Sequence, residues 1–140
     1  MKKVFSILAI LLFCFSLPMK ASARTVPTSI AQPYYEKAGD AKSNLYIDGT
    51  TATYKSDVMG DSDVVKIVAE QYLPKQGFLW IWTTYDGAEW TKTVYSNTLT
   101  MSNTKTGLSS GKYRLKTVFT LTDKQGETET ITVYSDEKSV

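Results

Sequence analysis

From Asn44 onward, apolar and polar residues alternate in short runs, and turn-forming residues separate the runs. No stretch there keeps the i, i+3, i+4, i+7 spacing of a helix over helical length. Residues 45–47 form a first strand before Asp48-Gly49. Ala52, Tyr54 and Val58 alternate up to Gly60-Asp61, and Val65, Ile67, Ala69 and Leu73 alternate up to Pro74-Lys75-Gln76-Gly77. Residues 78–85 and 88–95 flank Asp86-Gly87, which predicts a two-residue type I′ hairpin turn because both residues tolerate positive φ. Leu99 and Met101 mark the next strand. Tyr113, Leu115, Thr117, Phe119 and Leu121 mark another, ending at Asp123-Lys124-Gln125-Gly126, and Ile131 and Val133 mark the last. The pattern predicts an all-β domain: an antiparallel immunoglobulin-like β-sandwich of about seven to eight short strands.

Composition supports this. Seventeen threonines follow Gly49, mixed with Val, Ile, Tyr and Trp, which suit a pleated, half-buried surface. The 140-residue chain fits one domain plus a processed segment. Residues 1–23 have the three parts of a secretory signal peptide: Lys2 and Lys3, an apolar run over 4–17, and an Ala21-Ser22-Ala23 cleavage site. A membrane span needs about 20 apolar residues, and Pro18 and Lys20 end this run early. Cys14 follows Phe13, whereas lipidation needs a small residue there, so the cysteine is expected to leave with the signal. Residues 24–43 carry Pro27, Pro33 and little periodicity, and read as a linker or extended arm. The sandwich domain is assigned to 44–140.

Processing changes the charge. Losing Lys2, Lys3 and Lys20 turns the formal +2 of the precursor into −1. A near-neutral chain without Lys/Arg clusters lacks the footprint expected for nucleic acid or anionic lipid, and neither is an expected partner. The absence of histidine excludes Ser-His-Asp and Cys-His pairs and His-containing zinc sites. One cysteine excludes an internal disulfide.

Gly111-Lys112-Tyr113-Arg114-Leu115-Lys116 resembles the strand of immunoglobulin-like and fibronectin-like sandwiches in which a tyrosine precedes the central core position by two residues. In such sandwiches that tyrosine can form a tyrosine corner. Leu115 stands where an antibody domain has its second cysteine. Together with Leu45-Tyr46-Ile47, the tryptophan-rich segment and Thr130-Ile131-Thr132-Val133-Tyr134-Ser135, this strand resembles small secreted immunoglobulin-like proteins of Gram-positive bacteria with no assigned function. The resemblance covers residues 44–134 and implies a fold without implying site residues.

Phe78-Leu79-Trp80-Ile81-Trp82 is the most informative segment. With Asp86-Gly87 as the turn, one hairpin face carries Leu79, Ile81, Thr83, Trp90, Lys92 and Val94. The other carries Phe78, Trp80, Trp82, Thr84, Glu89, Thr91, Thr93 and Tyr95. Both faces are apolar, although a sandwich sheet normally buries only one. Trp80, Trp82 and Tyr95 are therefore the candidate ligand-binding residues, as an exposed aromatic platform suited to a protein or a sugar face. The competing reading is that the second face is covered, or that one tryptophan anchors the core.

Other clusters carry less. Asp57, Asp61 and Asp63 around Gly60 lack the spacing and closing glutamate of a calcium loop, and no metal is assigned. Glu127 with Glu129, and Asp86 with Glu89, read as solvated charges at turns and strand ends rather than an acid/base pair. Ser109-Ser110-Gly111-Lys112 reads as the turn entering the Tyr113 strand rather than a serine–lysine nucleophile. No catalytic residue and no cofactor are assigned. No LPxTG-like sorting sequence is present. The expectation is a secreted, non-catalytic binding module, extracellular or cell-wall-associated, acting on a protein or glycan at the cell surface, with no nucleic-acid partner and no transmembrane anchor in the mature chain. The alternative is a secreted antimicrobial or membrane-active β-protein.

Overall fold

The computed structural model describes residues 34–140. The expected signal peptide at 1–23, and residues 24–33 of the expected arm, lie outside them. Among the described residues nine strands follow in order: β1 (Ala38–Asp48), β2 (Thr51–Gly60), β3 (Val64–Gln76), β4 (Trp82–Val94), β5 (Thr98–Lys105), β6 (Lys112–Tyr113), β7 (Lys116–Asp123), β8 (Thr128–Tyr134) and β9 (Lys138–Ser139). Strands β1, β2 and β5 form one antiparallel sheet. The second runs β8-β7-β3, with β4 on the other edge of β3 and the short β6 and β9 extending it. The chain changes sheets after β2, β4 and β5. That distribution makes an antiparallel, all-β sandwich of two sheets.

Alternation explains how the layers meet. Along β7, Thr117, Phe119 and Leu121 point inward, and along β2 so do Ala52, Tyr54, Ser56 and Val58. The apolar residues form two clusters. Ile67, Phe119, Leu121, Val58, Leu99 and Met101 lie in one; Leu73, Leu115, Tyr113, Tyr54, Leu45 and Leu108 lie in the other. Between them a belt of polar side chains crosses the sandwich. Thr117 Oγ1 lies 2.9 Å from Ser43 Oγ and 2.7 Å from Ser56 Oγ. Gln71 Nε2 donates to Ser56 Oγ at 2.7 Å, and Asn103 Nδ2 donates to Gln71 Oε1 at 2.8 Å. Burial is tolerable here because each group meets a partner. The threonines lie largely outside the core: Thr120 pairs across from Thr130, and Thr122 from Thr128, on the outer face of the larger sheet.

Tyr113 makes the corner that its motif implied. Its Oη donates to the Ser109 carbonyl at 2.6 Å with the ring fully buried, two residues before the buried Leu115.

Three local readings are corrected. β1 begins at Ala38, so residues 38–43 belong to the sheet rather than to the arm. Buried Ala38 and Ser43 give that segment an inner face. Just before it, the N–H groups of Glu36 and Lys37 donate to the Glu129 carboxylate at 3.0 and 2.7 Å, and Lys37 Nζ bonds Asp123. Glu129 is thus an anchor for the chain. Val64 and not Val65 enters the core, because the β3–β7 register shifts between Val64 and Lys66.

The third correction concerns the hairpin. Asp86-Gly87 does not turn the chain: β4 runs unbroken through it and pairs with β3. The register passes from Tyr72↔Glu89 to Pro74↔Thr84, so residues 85–88 bulge opposite Leu73 alone. A type I′ turn needs positive φ at both central residues, and here only Gly87 has it, at 65°. Pro74, which has no N–H to give the ladder, sits where pairing is interrupted. Trp90 and Val94 pack against the core.

Candidate functional site

The reversal between β3 and β4 falls instead at residues 77–81, where Phe78–Trp80 form a single 3-10 turn. The Gly77 N–H donates to the Ile81 carbonyl at 2.8 Å and closes the loop. Leu79 and Trp80 both sit in the left-handed region, at φ 57° and 58°. Each side chain there meets its own backbone unfavourably, a cost of about 1–2 kcal/mol per residue. The conformation leaves Phe78, Leu79, Trp80 and Ile81 all in solvent, Phe78 at 87% and Trp80 at 77% exposure. Four consecutive large apolar side chains therefore form the tip.

Behind the tip lies an aromatic and cationic collar. Opposite residues of an antiparallel pair share a face, so Trp82 and Gln76 point to the outside of the larger sheet. The Arg114 guanidinium carbon lies 4.4 Å from the ring centroids of both Trp82 and Tyr134. Such contacts are worth about 0.5–2 kcal/mol each, so they hold all three side chains in place. Lys116 Nζ lies 5.5 Å from the Tyr72 ring on the same face. Burial, then the nearby Glu70 and Glu89, raise the Tyr72 phenol above its usual pKa. Lys75 Nζ bonds Ser109 Oγ at 2.6 Å and lies 5.5 Å from the Tyr113 ring. None of Lys75, Arg114 or Lys116 joins a salt bridge among the described residues.

The three candidate residues are placed as follows. Trp80 is on the tip and Trp82 at its base. Tyr95, 83% exposed, follows the far end of β4 beside Lys66. The hairpin partner runs from Ile67 to Gln76 over the same interval, about 30 Å at about 3.3 Å per residue. Trp82 and Tyr95 are therefore on one face but do not touch. The step from Thr84 to Glu89 across the bulge reverses strand parity as a two-residue turn would. Trp82, Thr84, Glu89, Thr91, Thr93 and Tyr95 consequently share the outer face, though on one strand. Trp90 points inward, its ring edge-on to Tyr54 at 4.8 Å, and is the tryptophan that packs on both core clusters.

Sequence reading missed Arg114, Lys116, Tyr72 and Tyr134. The signal was present: in Tyr113-Arg114-Leu115-Lys116 the basic residues occupy every outward position of a strand whose inward positions are core.

The remaining clusters are engaged locally. Asp61 Oδ1 accepts the Asp63 N–H at 2.9 Å, Asp63 pairs with Lys124 at 2.9 Å, and Asp57 accepts from Thr100 Oγ1 at 2.8 Å. Among the described residues no three Asp, Glu or Cys side chains converge as a metal site. A shallow cleft of about 590 Å³ opens beside the bulge, lined by Lys75, Thr84, Tyr85, Asp86, Lys105 and Gly107. The lysine that meets Ser109 is Lys75 rather than Lys112. Burial raises the Tyr54 phenol well above its usual range, and its Oη has no partner in the core.

No protein-family model and no curated protein matches the chain. Solved structures that it resembles include wild-type OgpA from Akkermansia muciniphila, at 13% identity and a TM-score of 0.39, over 74% of this chain and 30% of that one. Catalytically inactive OgpA in complex with an O-glycopeptide substrate aligns at 11% identity and 0.39, over 81% and 34%. The chain thus spans about a third of the length of OgpA. The CARDB domain of a Pyrococcus furiosus protein, in complex with di-metal ions, aligns at 16% identity and 0.38, over 75% of this chain and 94% of that domain.

Proposed function

We propose that this chain is an exported, non-catalytic binding module whose contact surface is the β3–β4 tip with the Trp82–Arg114–Tyr134 collar. The observation that carries the reading is the run Phe78-Leu79-Trp80-Ile81, exposed at four successive positions. Leaving such side chains in water forgoes roughly 1.5–3 kcal/mol apiece relative to burying them. Two of them also occupy a backbone conformation that L-residues avoid. A partner that covers the tip accounts for both costs. Binding is favoured over insertion of the whole hairpin, because Ile67, Ala69 and Leu73 of β3 are committed to the sandwich core.

The test is retention on isolated Gram-positive cell envelopes. The Phe78→Ser/Trp80→Ser double variant should lose at least about tenfold in retention, the equivalent of about 1.4 kcal/mol, with an unchanged melting temperature. Equal retention of variant and parent would refute the tip as the contact surface.

A further inference from the structure

The geometry points to an anionic lipid surface as the partner of this tip: Phe78, Leu79, Trp80 and Ile81 enter the bilayer interface while Arg114 and Lys116 meet the headgroups. This deepens the binding reading above and rests on it.

Three features select lipid. First, the tip offers no polar side chain between Phe78 and Trp82, and Leu79 and Ile81 are aliphatic. A sugar face is recognised by stacking together with hydrogen bonds to hydroxyls, and these four residues supply no side-chain donor apart from the indole N–H of Trp80. An acyl boundary asks for none. Second, the order of chemistry along the hairpin follows the order of a membrane interface. Apolar residues come first. Trp82 and Tyr134 follow behind them, clasping Arg114, with Tyr72 under Lys116 farther back. Aromatic rings belong at headgroup level, and cations flank them. Interfacial elements enter roughly 5–10 Å, a depth suited to the five residues from Gly77 to Ile81. Third, the two cations on the outer face beside the collar, Arg114 and Lys116, lack salt-bridge partners among the described residues, which leaves their charge for an anionic surface.

The experiment uses the full chain with Trp82→Phe and Trp90→Phe, leaving Trp80 as the one tryptophan; the apolar N-terminal segment contains none, so emission reports the tip alone. Vesicles are phosphatidylglycerol or phosphatidylcholine, with and without brominated acyl chains. The expected result is a blue shift on phosphatidylglycerol, at least twofold quenching by brominated chains, and about tenfold weaker binding to phosphatidylcholine or in 0.5 M salt. Adding Phe78→Ser and Ile81→Ser should remove the shift, and Arg114→Gln with Lys116→Gln should remove the preference for phosphatidylglycerol. An unmoved, unquenched Trp80 that iodide still reaches would overturn the lipid assignment and leave the tip as a surface for a protein or glycan. Quenching that persists in the Phe78→Ser/Ile81→Ser chain would overturn it as well. A blue, iodide-shielded Trp80 without vesicles would overturn both this inference and the binding reading, since the tip would then be covered.

Discussion

The hydroxyl of Thr117 on β7 lies 2.7 Å from the hydroxyl of Ser56 on β2, a hydrogen bond that runs from one sheet to the other through the middle of the core. Thr117 also meets Ser43, and Ser56 also accepts from Gln71, so the bond is one member of a connected belt. Thr117→Val keeps the shape and removes the shared partner. Two buried serine hydroxyls then lose a contact, and the expected loss is about 1–3 kcal/mol in urea unfolding. Replacing Ser56, Gln71 and Thr117 together by Ala, Leu and Val should cost less than the sum of the three single changes, because the three no longer orphan one another and only the Ser43 and Asn103 side chains, at the ends of the belt, lose a partner.

Two buried tyrosines should respond oppositely to loss of the hydroxyl. Tyr113→Phe strands the Ser109 carbonyl and should cost about 1–2 kcal/mol. Tyr54→Phe removes a hydroxyl that has no partner, and should leave stability unchanged or raise it by about 1 kcal/mol. Thermal and urea unfolding of the two variants side by side measures the difference.

The Lys37–Asp123 pair sets a pH window. The hydrogen bond from Lys37 lowers the Asp123 carboxyl below the ordinary carboxylate value, helped by the Glu127 and Gln125 N–H groups. The same bond raises the Lys37 ammonium above 10.5. The Asp123 contribution is present above the unfolded carboxyl pKa of about 4 and is lost as pH falls through its lower folded value. The Lys37 contribution is present below pH 10.5 and is lost as pH rises through the higher folded value. Urea midpoints should therefore fall at both extremes, and Lys37→Met should flatten both limbs.

Leu79→Gly relieves a left-handed leucine and should raise stability by about 1 kcal/mol. It also deletes one of the tip's apolar side chains, so vesicle or envelope binding should fall as the melting temperature climbs. A variant more stable and equally good at binding would show that the strained conformation serves no contact.

The layers of this fold were legible from alternation, and so was Tyr113 at its corner. The two gaps in that alternation were informative in retrospect. Ser56 interrupts Ala52, Tyr54 and Val58, and Gln71 interrupts Ile67, Ala69 and Leu73. Both stand at inward positions where a polar group needs a partner on another strand, which local pattern cannot supply. Trp80 and Trp82 stand out in the sequence, but their placement depends on where the chain turns. Asp86-Gly87 has the chemistry of a two-residue turn, and the pairing of β3 with Trp90 and Val94 overrode it. Tyr95 groups with the tryptophans in the sequence because strand parity is the same across a turn and across this bulge. The outward basic positions of Arg114 and Lys116 are visible in the sequence, but the stacking of Arg114 on both Trp82 and Tyr134 joins segments distant in sequence, which local pattern cannot supply.

β4 is an outer strand of its sheet, and its unsatisfied backbone groups offer themselves to any passing extended chain. The three surplus residues around Gly87 distort that border at its middle, so no straight strand from another molecule matches it along its length. Removing Asp86, Gly87 and Ala88 would straighten the border into a template. The shortened protein should then self-associate into thioflavin-positive assemblies at concentrations where the parent stays monodisperse.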